Sequence, residues 1–157
     1  MDPKIQEITI LIATLRNQRK TDLSEAQTWM LAHAIDDEQA ALIPQIAIVG
    51  YHILDQLSTA KELNGTELAA RIGVSRSGTT RAAKHLVNLH LVTSQRHPNN
   101  QKSIYYQLTT TGLQLAKLHQ AMHQNLYRDL QVKIAKEYQP TELAIIARFL
   151  KEIVDHQ

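Results

Sequence analysis

GVSRSGTTRAAKHL, residues 73 to 86, is the stretch on which the fold turns. Two Ser, two Thr and two Arg crowd the front of a predicted helix, a Lys follows, and no acidic residue balances them. Ser75 is placed to cap this helix, and the spacing carries it to about Asn88. Ala82, Ala83, Leu86 and Leu89 form its core side. The preceding NGTELAARIG, 64 to 73, is a short helix with Thr66 offered as cap and Gly73 as stop. Two short helices joined by a tight turn containing Gly have the arithmetic of a helix-turn-helix.

Downstream, LVTSQR (91–96) and SIYYQLT (103–109) are rich in β-branched and aromatic residues and predict strands. HPNNQK between them is turn chemistry, since Pro presets φ and Asn tolerates the left-handed region. A hairpin directly after a helix-turn-helix is a wing. Upstream, IPQIAIVGYHILDQLS (43–58) is apolar on most faces and predicts a buried helix. Nearer the N-terminus, Ile5, Ile8, Leu11, Ile12 and Leu15 recur at helical spacing behind Pro3. SEAQTWMLAHA (24–34) is helical again after a polar break at Lys20 to Asp22, so one helix or two stays open. A long helix is predicted from about Thr111 to Tyr138. After Gln139-Pro140, a last helix carries an apolar stripe of Leu143, Ile146, Phe149, Leu150 and Ile153.

Formal net charge is only +2, so the total says little about partners. The distribution says more. No acidic residue lies between Glu67 and Asp129, a window that holds eight Lys and Arg. With 17 basic and 15 acidic residues in all, the remainder carries nine basic against 15 acidic, or −6. A basic centre between acidic flanks is the electrostatic footprint of a nucleic-acid reader; the bland alternative is a solvated basic surface.

The chain has no Cys, which excludes disulfide scaffolds, Cys-based metal sites and thiol redox sensing. No apolar run approaches the roughly 18 residues that a membrane span needs, and MDPKIQEITILIATLRNQRK lacks the pattern of a secretory leader. A cytoplasmic location and no membrane partner are expected. There is no Gly-rich phosphate loop, nucleophile elbow or Cys nucleophile, and His119 and His123 lack the intervening Glu of a hydrolytic HExxH site. No enzyme is expected.

Residues 64–112, NGTELAARIGVSRSGTTRAAKHLVNLHLVTSQRHPNNQKSIYYQLTTTG, resemble the winged helix-turn-helix core of the MarR family of bacterial transcriptional regulators. The pattern is ELA-x-x-x-G-V-S, then T-R-x-x-x-x-L, then a wing ending in Leu-Thr-x-x-Gly. The resemblance implies a fold that is mainly α with a small β-hairpin wing. It implies a single domain over 1–157, with a winged helix-turn-helix lobe at 41–110 and dimerisation helices at 1–40 and 111–157. It further implies a homodimer on a DNA palindrome, acting as a repressor by default. Where family wings carry an Asp and a tip Arg, this chain has Asn100 and Lys102, so that ion pair is lost and Lys donates as a point charge.

In helix-turn-helix docking, the first residues of the second helix meet base edges in the major groove. Ser75, Ser77, Thr79 and Thr80 are short donors suited to phosphates or bases. Arg76 and Arg81 can each donate bidentately to guanine, at roughly 1–3 kcal/mol of discrimination. Lys84 sits later and suits a phosphate, while Arg96, His97, Asn100 and Lys102 on the hairpin would flank the duplex. The plainer alternatives are a simple cap for Ser75 and semi-buried packing for Thr80. A rival of another class is a winged-helix protein-interaction module without DNA, which would tend to lose the cationic helix and wing that this chain keeps.

Members of the family usually respond to a small ligand or metal, so an effector is an expected partner, though the sequence names none. Among eight His, His119 and His123 lie four apart and share a helix face, a spacing suited to chelation. With His52 they are similar to the His ligands of the zinc-uptake repressor branch. His119 falls eleven residues after Leu108, and His52 precedes an Ile-Leu-x-x-Leu segment. His52, His119 and His123 are thus the candidate metal ligands and zinc the candidate cofactor. That branch also uses a Glu of the first helix and a second site with a Cys, which this chain lacks; His33 is the candidate for the missing ligand. The competing reading is that these His only pack or hydrogen-bond. An organic ligand near Trp29, Tyr51, Tyr105 or Tyr106 is a further expectation, and those aromatics could equally be core.

Overall fold

A computed structural model of the chain describes residues 2–155. Helix α1 spans Pro3–Ala32 without interruption, with Asp2 capping it by accepting from the Lys4 amide at 2.7 Å. No Gly or Pro occurs between Pro3 and Pro44, so the polar break at 20–22 changes composition without stopping the helix. Helix α2, Asp37–Leu42, starts at Asp36, whose carboxylate accepts from the Gln39 amide at 2.7 Å.

The predicted buried helix over 43–58 is divided in two. Ile43–Gln45 is a single 3-10 turn, and helix α3 runs over Ile48–Thr59. The backbone is extended at Ile46 (φ −102°, ψ 120°) and Ala47 (φ −74°, ψ 162°), which ends the turn and sets the start of α3. Ile43, Ile46, Tyr51, Ile53, Leu54 and Leu57 are all buried.

Strand β1 (Leu63–Asn64) leads into helix α4 (Gly65–Ile72) and then helix α5 (Arg76–Asn88). The cap of α4 is Asn64, not Thr66. Asn64 accepts from the Thr66 and Glu67 amides, each at 2.9 Å, and Glu67 reaches back to the Asn64 amide at 2.8 Å. Gly73 ends α4 in the left-handed region at φ 73°, where a side chain would be strained. Ser75 caps α5 by accepting from the Gly78 amide at 3.2 Å.

Strands β2 (Val92–His97) and β3 (Asn100–Leu108) form the wing, and β1 adds to β3, giving an antiparallel sheet of order β1-β3-β2. Pairing runs from Val92 opposite Leu108 to His97 opposite Asn100, with a register shift between Gln95 and His97. The turn is shorter than HPNNQK implies, because Asn100 already pairs.

Helix α6 spans Thr110–Glu137. Its start is tied to the segment just after α5: the Leu91 carbonyl accepts from the Thr109 amide at 3.1 Å, and the Thr109 hydroxyl lies 2.9 Å from the His90 carbonyl and 3.1 Å from that of Leu91. That hydroxyl in turn accepts from the Gly112 amide at 3.0 Å. A Cβ on Gly112 would run into the Leu91 carbonyl oxygen, so the Leu-Thr-x-x-Gly spacing records a close approach of backbone to backbone.

The chain forms two compact units, residues 1–122 and 123–157. The first holds the core: Met30, Ile53, Leu54, Leu68, Ala83, Leu86, Leu91, Leu115 and Met122 are all essentially inaccessible. On α6, Leu115, Ala116, His119 and Met122 are buried, one helical face. The second unit contains the rest of α6 and helix α7, Pro140–Asp155. No residue of α7 is buried, and Ile145, Ile146, Phe149 and Leu150 are exposed. On α1, Ile5, Ile8, Leu11 and Leu15 are exposed as well. No single described helix is long and apolar enough to cross a membrane.

Candidate nucleic-acid interface

Helix α5 has an inner and an outer side. Thr79, Ala83 and Leu86, at i, i+4 and i+7, are buried against the lobe. Arg76, Ser77, Arg81 and Lys84 are exposed on the other side and, with half-buried Thr80, line a shallow depression of about 450 Å³. No carboxylate lines it.

Thr79 corrects the sequence reading. It is fully buried, so it meets the core and not a DNA duplex, and its hydroxyl has no hydrogen-bond partner. Thr79→Val keeps the shape and removes an unpaired polar atom. We expect it to raise the unfolding free energy by about 1 kcal/mol in urea titration, with DNA affinity unchanged.

Arg76 does more than face outward. Its guanidinium donates to the Thr66 hydroxyl at 2.6 Å, joining the front ends of α4 and α5. A cleft of about 250 Å³ lies alongside, bounded by Thr66, Arg76, Thr80, Lys102 and Tyr106. The front of α5 and the wing therefore contribute one cation each, Arg76 and Lys102, to the same cleft. Exposed Ser75, the helix cap, hydrogen-bonds with Ser77 at 3.3 Å.

On the wing, Lys102 and Arg96 are exposed, and Arg96 donates across the hairpin to the Gln101 carbonyl. Asn100 is engaged within the hairpin: it accepts from the Ser103 amide at 3.2 Å and donates to the Ser103 hydroxyl at 3.2 Å. His97 is half-buried and turned to Glu62, with its Nε2 donating to Oε1 at 2.8 Å. The other oxygen of Glu62 accepts from Gln107 at 3.0 Å and Gln95 at 3.3 Å. The Gln107 amide, then those of Gln95 and the His97 ring, hold the Glu62 carboxyl below the usual carboxylate range. Sequence reasoning missed Glu62. The only trace of it was the polar set Gln95, His97 and Gln107 on the strands.

The effector candidates have different surroundings. His119 is buried; its Nδ1 donates to Asp55 Oδ2 at 2.8 Å, and its ring stacks on Tyr51 at 4.7 Å. Asp55 Oδ1 is also buried and has no hydrogen-bond partner. Gln120 donates to the Ser58 hydroxyl at 2.9 Å, a second polar tie between α6 and α3. Tyr51 donates to the Ile43 carbonyl at 3.0 Å and is core, as is Tyr106; burial pushes both phenols above their ordinary range. His52 is exposed, and His123, in the second unit, stacks on Tyr127. His33 stacks on Trp29 at 3.8 Å. Tyr105 packs against His97. Among the described residues no group of three or more His, Cys, Asp or Glu could hold a metal. The His119–Asp55 pair is thus short of the three or four protein ligands that zinc takes, and the described residues do not make a complete site.

Residues 47–104 match the MarR family model. The transcriptional regulator AdcR of Streptococcus pneumoniae serotype 2 is 32% identical over 103 residues, 66% of this chain and 69% of that protein. The crystal structure of the adhesin competence repressor AdcR from Streptococcus pyogenes matches with a TM-score of 0.70 at 18% identity, over 99% of this chain and 98% of that one. Streptococcus pneumoniae FabT, solved in complex with DNA, matches with a TM-score of 0.70 at 16% identity, over 97% and 96%. Alignments to the matching curated relatives span 61% to 70% of those relatives' own lengths.

Proposed function

The chain belongs to the MarR family of transcriptional regulators, and from that premise we propose that it is a repressor that binds a palindromic operator as a homodimer in the cytoplasm. The observation that carries this reading is the two-sidedness of α5. Its inner residues hold it on the lobe, and its outer side offers Arg76, Ser77, Arg81 and Lys84 with no acid beside them. That is what a helix needs to lie in a major groove. Arg76 and Arg81 read bases, while Lys84, Arg96 and Lys102 neutralise phosphates.

The dimer is supported by the exposed apolar rows, Ile5, Ile8, Leu11 and Leu15 on α1 and Ile146, Phe149 and Leu150 on α7. Rows of this kind mark a protein interface, and a second copy related by twofold symmetry is the partner proposed for each. Two reading helices related by that axis require a palindrome.

The test is fluorescence anisotropy on duplex from upstream of the chain's own gene, against a scrambled duplex, over a salt series. We expect operator-selective binding. Lys102→Ala should weaken binding to both duplexes alike and flatten the salt slope by about one ion per protomer. Silence on every duplex at low salt would instead favour a protein-interaction module.

Zinc as the effector is the second reading, favoured by one observation: the buried Asp55 oxygen without a donor, beside His119. A cation there would satisfy it. Anisotropy repeated with zinc and then with a chelator decides it, since equal operator affinity in both retires the metal.

A further inference from the structure

The wing lacks acidic residues of its own, yet a carboxylate sits in the middle of its hydrogen bonding. β1 pairs with β3 in a register that sets Leu63 opposite Tyr106, which puts Glu62 opposite Gln107. β3 pairs with β2 so that Gln95 faces Tyr105. Side chains alternate along strands, so Glu62, Gln107, Tyr105 and Gln95 share one face of the sheet. His97, two residues after Gln95, joins the same group, packed on Tyr105 with ring centres 4.2 Å apart. Glu62 therefore collects three donors from both strands of the hairpin, at 2.8, 3.0 and 3.3 Å.

We infer that Glu62 is the positioning residue of the wing: its carboxylate, fixed just ahead of β1, grips Gln107, Gln95 and His97 and so sets the angle at which the hairpin stands beside α5. β1 runs directly into α4, and Arg76 at the front of α5 is bonded to Thr66 of α4. The Glu62 grip thus refers the wing to the same base as the reading helix. His97 acts within this grip, holding the wing for the exposed Lys102 and Arg96. The consequence for DNA rests on the operator-binding reading above; the grip itself does not.

Electrostatics alone and positioning make opposite forecasts. Removing a negative charge near a phosphate-binding surface tightens binding to any duplex. Loosening the wing weakens operator binding and spares random DNA. The experiment uses the full chain as wild type, Glu62→Ala and Glu62→Gln, reading hydrogen exchange without DNA and anisotropy with operator and random duplex. In Glu62→Ala we expect amide exchange over residues 94–103 to rise about tenfold, with α3 to α5 unchanged. Operator affinity should fall about tenfold while random-duplex affinity holds or improves. Glu62→Gln, which keeps an oxygen acceptor, should recover part of the operator affinity. Unchanged wing exchange in Glu62→Ala, or tighter binding to both duplexes, overturns the inference. A wild type that binds no duplex sinks the operator reading and leaves exchange alone to judge the grip. If Glu62→Ala does not fold, His97→Ala removes one arm only and must show the same wing-restricted exchange, or the inference falls.

Discussion

Arg81→Glu is expected to abolish operator binding, with affinity down by roughly a thousandfold or more. Arg81 is exposed on the outer side of α5, where it joins Arg76 and Lys84 around a depression free of carboxylates. The substitution removes a fork able to take one guanine, at about 1–3 kcal/mol. It also sets an anion against the phosphate backbone, where like charges brought together cost several kcal/mol. Stability should hardly move, because an exposed position on the outer side contributes little to the core. Anisotropy on operator and random duplex, with circular dichroism as a control, checks the result. Retained operator selectivity in a folded Arg81→Glu protein would take α5 out of the groove.

The second large effect is on the fold. Gly112→Ala ordinarily helps a helix by about 1 kcal/mol. Here the added methyl meets the Leu91 carbonyl oxygen, a backbone atom that cannot rotate away. Relieving the clash means parting the start of α6 from the end of α5, and the Thr109 bonds to Leu91 go with it. Overpacking of this kind costs about 1–3 kcal/mol, and each hydrogen bond lost adds about 1 kcal/mol. The clash outweighs the helix gain, for a net loss of about 2–3 kcal/mol. A thermal melt should show the midpoint roughly 5–10 °C lower. A melt at or above wild type would mean that the close approach is absent in solution.

The parts of the lobe that rest on neighbouring residues are legible in the sequence. Ser75 as a cap, Gly73 as a left-handed stop and the paired strands of the wing each carry a local signal, and each stands in the structure. What escaped depends on distant partners or on helix phase. β1 is two residues long, too short for any alternating pattern, and it exists only because β3 offers an open edge. Glu62 has partners 33, 35 and 45 residues away, so nothing beside it in the chain announces them. Thr79 shares its chemistry with the other hydroxyls of α5, while its phase, four before Ala83 and seven before Leu86, turns it inward. Asn64 outcompeted Thr66 as a cap because Glu67 falls three residues later, completing a reciprocal pair.

If a second copy closes the uncovered rows of α1 and α7, as proposed, gene dosage becomes an input to this regulator. A chain whose helices finish packing only against a copy draws stability from mass action. Each tenfold fall in chain concentration removes about 1.4 kcal/mol from the assembled form. Few chains per cell then leave the operator open even without a signal, and synthesis beyond a threshold closes it. If the operator lies before its own gene, the exposed Ile and Leu residues of two helices set how many copies the cell keeps.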